Sequence, residues 1–176
     1  QVKTVIPYFK NFTKRFKTLS SLSKCKEEEI LKLWEGLGYY RRAKNLLLCS
    51  KILVNDYNSK LPETLEGIKK LPGIGEYTGN ALLGLIFNKP TIAVDGNVKR
   101  VFSRILNKEE SKINFYNLIS KNKERLFRTN RNADFVEALM EFGALVCKPK
   151  KPKCNTCCLK KNCKYFKSHN KVSKEK

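Results

Sequence analysis

The sequence predicts an all-α protein. Three observations carry that reading: apolar residues recur at helical spacing in segment after segment, glycine-bearing turns separate the segments, and no alternating run of strand character competes with them.

Taken in order, the first helix is expected over residues 2–16, where Val2, Val5, Ile6, Phe9, Phe12 and Phe16 form a stripe that should face a core. Pro7 falls inside the pattern and marks either a kink or the true start. A short helix is expected near 26–35, with Glu27, Glu28 and Glu29 in its first turn, where negative charge suits the helix dipole. Trp34 at its end is a core residue or, less simply, a base-stacking one. The run Leu37-Gly-Tyr-Tyr-Arg-Arg-Ala-Lys-Asn opens a helix to about Tyr57, with Ala43, Leu46, Leu47, Leu53 and Val54 on one face. Two adjacent tyrosines beside a glycine and two arginines suit entry into a base stack while gripping its backbone, and equally suit two amphipathic tyrosines at a helix start.

Two apolar segments then flank Gly73-Ile74-Gly75: Leu65, Ile68 and Leu71 before it, Tyr77, Ala81, Leu82, Leu85 and Ile86 after it. The pattern is helix, tight turn, helix. Glycines at both positions permit unusual backbone angles and a close approach to a ligand, and the free amides opening the second helix can hold a phosphate. Glycine-turned helix hairpins also occur for purely structural reasons. The hairpin gains meaning from Asp95, which follows it and precedes another helix marked by Val98, Val101, Phe102 and Ile105. Helices near 112–127 and 132–146 complete the set, and the Lys- and Ser-rich residues 164–176 are expected to be disordered.

Lys and Arg number 37 against 16 acidic residues, a formal charge of +21 spread along the whole chain of 176 residues. A field of that sign favours a polyanion, nucleic acid first, although a Lys-rich composition also aids solubility. No apolar run approaches the roughly 18 residues needed to span a bilayer, so no membrane partner is expected. Five of the seven cysteines crowd between positions 147 and 163, and no signal peptide precedes them. In a protein expected to be intracellular, such clustering points to metal rather than disulfides. Cys147, Cys154, Cys157 and Cys163, spaced C-x6-C-x2-C-x5-C, could wrap a tetrahedral zinc or an iron–sulfur cube. Zinc ribbons separate two close pairs by a longer spacer, which this loop lacks, so the pattern favours iron–sulfur. Lys148, Lys150, Lys151 and Lys153 between the first two cysteines would make the pinned loop a phosphate-binding knob. Cys25 and Cys49 read as small core residues, Cys158 has no assigned place, and the single histidine, His169, argues against a His-based site.

Leu71-Pro-Gly-Ile-Gly-Glu-Tyr-Thr-Gly, Val94-Asp-Gly-Asn-Val-Lys-Arg and the four-cysteine loop together resemble the helix-hairpin-helix DNA glycosylases of the endonuclease III superfamily. With Trp34-Glu-Gly-Leu-Gly-Tyr-Tyr-Arg-Arg-Ala-Lys-Asn, the resemblance is greatest to the adenine DNA glycosylase branch, the MutY family. It covers residues 1–163. It implies a two-lobed fold, with a helical-barrel lobe at 1–90 and an iron–sulfur cluster lobe at 91–163, and with DNA and an extruded base held between them. The implied activity is hydrolysis of the N-glycosidic bond of adenine mispaired with 8-oxoguanine or guanine in double-stranded DNA. The chain would then be a monomeric, cytoplasmic, nucleoid-associated repair enzyme carrying one [4Fe-4S] cluster on Cys147, Cys154, Cys157 and Cys163.

By the same resemblance Asp95 is the catalytic carboxylate, with Asn97 helping to orient sugar or water. Tyr77 stands where bifunctional relatives carry a Schiff-base lysine, which implies a monofunctional enzyme. Tyr39 would be the intercalating wedge and Tyr40 its packed neighbour, with Arg41 and the Gly73-Ile74-Gly75 turn on the DNA backbone. The chain begins at Gln1, within a helical pattern, as a fragment would. The family's general-acid glutamate precedes the residues matching Gln1, as do its N-terminal helix and glutamine-rich turn, and a C-terminal recognition domain would follow. Glu35 or Glu76 is a conceivable substitute acid, and low turnover is expected. A thymine or uracil mismatch glycosylase, a noncatalytic DNA-binding module and a zinc-stabilised RNA-binding protein remain the other readings.

Overall fold

In a computed structural model, which describes residues 2–171, every regular element is helical. Two compact units divide the chain, residues 1–75 and 76–176. No helix among the described residues is long and apolar enough to cross a membrane.

The first unit contains α1 (Val2–Arg15), α2 (Leu19–Ser23), α3 (Glu27–Trp34), α4 (Arg41–Asp56) and α5 (Leu65–Lys69). Helix α4 is its spine, because it serves two apolar clusters. Ala43 and Leu47 join Phe16, Leu22, Cys25 and Ile30 in one; Cys49 and Leu53 join Leu71 in the other. Two ion pairs brace the first cluster from outside, Arg15 with Glu29 and Lys44 with Glu27. Helix α2 has too few residues to show a period in the sequence. It is fixed instead by a capping box in which Thr18 and Ser21 satisfy each other's backbone amides.

Two expectations for this unit need amendment. The stripe on α1 does not face the core along its length: Phe12 and Phe16 reach it, whereas Val5, Ile6 and Phe9 are exposed. Pro7 neither begins nor ends α1, which runs through it. The expectation for Trp34 holds, since it packs partly buried against the first cluster, its indole N–H donating to the Gly38 carbonyl at 3.1 Å.

The second unit contains α6 (Glu76–Leu85), α7 (Gly96–Leu106), α8 (Phe115–Lys121), α9 (Lys123–Leu126), α10 (Asn132–Leu145) and α11 (Lys164–Lys171), with short 3-10 turns at Glu110–Lys112 and Cys154–Thr156. Its core joins Ile92, Val94, Val98, Phe115, Ile119 and Val136. The buried residues of α6 are Gly79, Asn80, Leu83 and Gly84, not the expected apolar set of Tyr77, Ala81, Leu82, Leu85 and Ile86, of which Ala81 and Leu82 are half-buried and the other three exposed. Small residues decide this. A Cβ on Gly84 would lie 3.3 Å from both Val136 Cγ2 and the Thr91 carbonyl, so a side chain there would press these neighbours apart by a few tenths of an ångström, and glycine eases the approach of α6 to α10. Asn80, buried on the same face, donates to the Glu76 carbonyl and accepts from the Thr91 hydroxyl, pinning the extended segment that leads to Asp95.

The single helix expected over 112–127 is broken into α8 and α9 at Asn122, whose side chain turns back to the Leu118 carbonyl at 2.8 Å. Residues 164–171, expected to be irregular, form α11, because Tyr165 gives that helix an aromatic face that the Arg104 guanidinium covers at 5.3 Å. Residues 172–176 of the expected disordered tail lie outside the described residues.

Burial separates residues that look alike in the sequence. Ile30→Ala, which empties a fully buried site, should cost about 2–5 kcal/mol of stability. Ile86→Ala, on an exposed one, should stay within about 0.5 kcal/mol. Urea unfolding of the two variants checks both.

Candidate active site and thiol loop

Asp95 is the N-cap of α7. Its Oδ1 accepts from the Val98 amide at 2.7 Å and its Oδ2 from the Asn97 side-chain amide at 3.0 Å, so both oxygens are held and the carboxylate has one orientation. Asn97 is oriented in turn: its Oδ1 accepts from Arg100 at 2.7 Å. The Arg100 guanidinium also donates to the carbonyls of Gly143, at 2.6 Å, and Cys147, at 2.8 Å. A continuous chain of hydrogen bonds therefore runs from the carboxylate through Asn97 and Arg100 to the backbone of the first loop cysteine.

Helix α10 reaches that chain because of one glycine. A Cβ on Gly143 would lie 2.6 Å from Asn97 Cβ and 3.1 Å from its backbone, so α10 crosses the first turn of α7 with no side chain between them. Arg100 escaped the sequence reading although it stands in the quoted motif. The available signal was its spacing of three from Asn97, which places both on one helix face.

Beyond α10 the thiols of Cys147, Cys154, Cys157 and Cys163 line one cavity of about 310 Å³, counted with its opening to solvent. Among the described residues no three potential ligands are grouped tightly enough for a single metal ion. Burial, and then the neighbouring Cys147, raises the pKa of Cys154, while burial comes first for Cys157. Four thiolates would repel one another in that space unless cations stood between them. The loop's backbone is closed by the Lys153 amide on the Val146 carbonyl at 3.0 Å. Lys150, Lys151 and Lys153 project outward, and Lys148, half-buried, is held by its carbonyl. Cys158 is exposed, whereas Cys25 and Cys49 are buried as expected, and burial raises the pKa of both.

The remaining predicted site residues fall into the two units separately. In the first, Tyr39 stands 83% exposed with φ +50°, a left-handed conformation costly for a bulky side chain. The preceding loop prepares it, with Gly36 and Gly38 at φ +91° and +67°. Arg42 lies over both the Trp34 and Tyr39 rings, at 5.6 and 5.4 Å, a contact that leaves no mark in the sequence. Tyr40 is the half-exposed N-cap of α4, and Arg41 is exposed.

In the turn after α5, Ile74 is anchored in the second apolar cluster while Gly73 and Gly75 are exposed on either side. Only Gly73 requires glycine. Its φ is +78° and a Cβ would lie 2.6 Å from Asn45 Nδ2, whereas a Cβ on Gly75 would meet nothing within 4 Å. The second glycine therefore provides open backbone rather than a forbidden angle. In the second unit, Tyr77 is exposed in the first turn of α6, beside Glu76.

Over residues 1–125 the chain matches the HhH-GPD superfamily of base excision DNA repair proteins. It is 42% identical over 166 residues to an adenine DNA glycosylase of Buchnera aphidicola subsp. Baizongia pistaciae, covering 94% of this chain and 47% of that one. To the adenine DNA glycosylase of Homo sapiens it is 35% identical over 167 residues, 93% of this chain and 31% of the human one. The chain thus spans less than half the length of either relative. Among solved structures it resembles a thermostable thymine-DNA glycosylase at 30% identity and a TM-score of 0.82, covering 93% of this chain and 76% of that one.

The double duty of Asp95, cap and carboxylate, can be separated by substitution. Asn caps a helix as well as Asp does, so Asp95→Asn should leave the melting temperature within a degree or two (about 0.5 kcal/mol), while Asp95→Ala should lose about 1 kcal/mol. Thermal unfolding followed by circular dichroism distinguishes them.

Proposed function

The chain belongs to the HhH-GPD superfamily of base excision DNA repair proteins, and from that premise we propose that it forms part of an adenine DNA glycosylase. The proposed substrate is double-stranded DNA with adenine opposite 8-oxoguanine or guanine, and the reaction is hydrolysis of the N-glycosidic bond without strand cleavage. The observation that carries the reading is the doubly held carboxylate of Asp95 on the Asn97–Arg100 chain.

Loss of a base leaves positive charge on the deoxyribose, and a fixed carboxylate stabilises that charge with no reorganisation at the moment it forms. Asp95 supplies the carboxylate. Asn97, its amide directed at Asp95 and its carbonyl at Arg100, keeps the carboxylate from rotating and offers an edge for the sugar or water. Tyr77 has no amine and forms no Schiff base, so the base leaves by hydrolysis alone and the sugar stays in an intact strand. Tyr39, exposed and pre-set by its glycine loop, is the proposed wedge that fills the gap left by the extruded base. The Gly73-Ile74-Gly75 backbone, Arg41, the half-buried Lys148 and the outward Lys150, Lys151 and Lys153 would take phosphates.

The donor set and cavity fit a [4Fe-4S] cluster on Cys147, Cys154, Cys157 and Cys163. Bound there, it would cross-link four positions of the loop and so hold the Cys147 carbonyl where Arg100 needs it.

Single-turnover base release is the deciding measurement, on duplexes bearing adenine opposite 8-oxoguanine, adenine opposite guanine, and thymine or uracil opposite guanine. Slow release, from the adenine duplexes alone, is expected of this chain, and Asp95→Asn should slow it by about a further 10²-fold or more while duplex affinity stays equal or rises. Release from the thymine or uracil duplexes would move the chain to the mismatch branch that the thymine-DNA glycosylase likeness keeps open. The cluster is tested by colour. The purified chain should be brown, and Cys154→Ala should bleach the visible absorbance; a colourless preparation with stoichiometric zinc would refute the iron–sulfur reading.

A further inference from the structure

One turn after Arg100, Arg104 occupies the last turn of α7 and spends its guanidinium on the thiol loop. Nη1 donates to the Lys148 carbonyl at 2.7 Å, with longer contacts to the Cys147 carbonyl at 3.3 Å and to Cys147 Sγ at 3.4 Å. Nη2 donates to the Pro149 carbonyl at 2.9 Å. The backbone carbonyl of Arg104 accepts from the Cys163 thiol at 3.5 Å, and its Cζ lies over the Tyr165 ring. One residue thus touches the first and last thiols of the set and the helix that follows them. Among the described residues it pairs with no carboxylate, so its charge is not neutralised beside the sulfur.

We infer that Arg104 is a positioning residue for the cluster: it shapes the loop around Cys147 and donates an N–H···S hydrogen bond to that sulfur. The inference rests on the iron–sulfur reading of the loop. Arg100 and Arg104 divide the work at Cys147. Arg100 takes the carbonyl and carries it toward Asn97, whereas Arg104 alone touches the sulfur. A planar fork is what this requires, since one ammonium cannot serve carbonyls of successive residues and a sulfur together. Hydrogen bonds to cluster sulfurs, and positive charge near them, favour the reduced cluster and raise its potential.

The test compares Arg104→Met, Arg104→Lys and Arg100→Met as loaded proteins, measuring cluster reduction potential and the rate of iron loss to a chelator. Arg104→Met should shift the potential negative and speed iron loss severalfold, with Arg104→Lys recovering part of the shift through its charge. Arg100→Met should leave the potential near that of the unsubstituted protein. Unchanged potentials in both Arg104 variants, or an equal shift in Arg100→Met, would overturn the inference, because a merely structural role predicts no difference between the two arginines. If the unsubstituted protein carries no cluster, the iron–sulfur reading fails on its own. Arg104 is then judged by alkylation of the metal-free thiols: a rate change in Arg104→Met confined to Cys147 supports its positioning role, and no change, or the same change at Cys147 and Cys154, rejects it.

Discussion

The second unit depends on how closely α10 approaches the first turn of α7. Gly143 sets that distance, because any side chain there would occupy the space of Asn97. From this contact the rest follows in a few residues. The Gly143 carbonyl comes within reach of Arg100, α10 ends at the correct height for Cys147 to present its carbonyl to the same guanidinium, and Asn97 is fixed from two sides. The orientation of the Asp95 carboxylate is therefore a packing result before it is an electrostatic one. A helix end, a glycine and an arginine replace the dense polar network that would otherwise be needed to immobilise one carboxylate.

The first unit solves a different problem, which is to expose groups that would ordinarily be buried or relaxed. Helix α4 makes the foundation by serving two apolar clusters at once, and its N-terminus carries the loop in which Tyr39 stands out from the surface. Such a ring has few contacts to hold it, and the left-handed backbone at Tyr39 adds a local cost. The Arg42 guanidinium against Trp34 and Tyr39 offsets part of that cost, since it attracts both ring faces. Ile74 does the same for the hairpin turn. Its burial anchors the loop, and the two flanking glycines leave the backbone bare where a phosphate would approach.

Periodicity located the long helices, and motif spacing singled out Asp95, Asn97 and the four cysteines as candidates, because each of these depends on residues close in sequence; the structure joins Asp95 to Asn97 and sets the cysteines around one cavity. What stayed hidden depends on residues far apart. The buried face of α6 was misread because it includes Gly84, whose importance lies in the approach to Val136 of α10 that it allows. Arg100 and Arg104 were unread because their partners are carbonyls more than forty positions away, and a carbonyl leaves no mark in a sequence. Helix α11 was mistaken for a tail since its stabilising contact, Arg104 on Tyr165, belongs to another helix. The exposed half of α1 shows the opposite error, in which apolar residues at perfect spacing do not find a core.

A net charge of +21 points to a polyanion, but the structure shows that the positive residues are of two kinds. Arg100 and Arg104, half-buried, are spent on carbonyls of the second unit, while Arg15, Arg42 and Arg131 lie at the surface, paired with a carboxylate or laid over aromatic rings. The planar guanidinium suits that use, since it is weakly hydrated and its donors are pre-arranged. Lys150, Lys151 and Lys153 instead lie exposed on a loop whose backbone is closed by hydrogen bonds and clamped by Arg104. An ammonium that keeps its hydration shell costs little to leave in water and releases counterions when it meets a phosphate. The arginines build the surface that the lysines charge. The loss of Arg100 therefore reaches the Cys147 backbone and the Asp95 chain together, whereas the loss of one outward lysine removes a single charge.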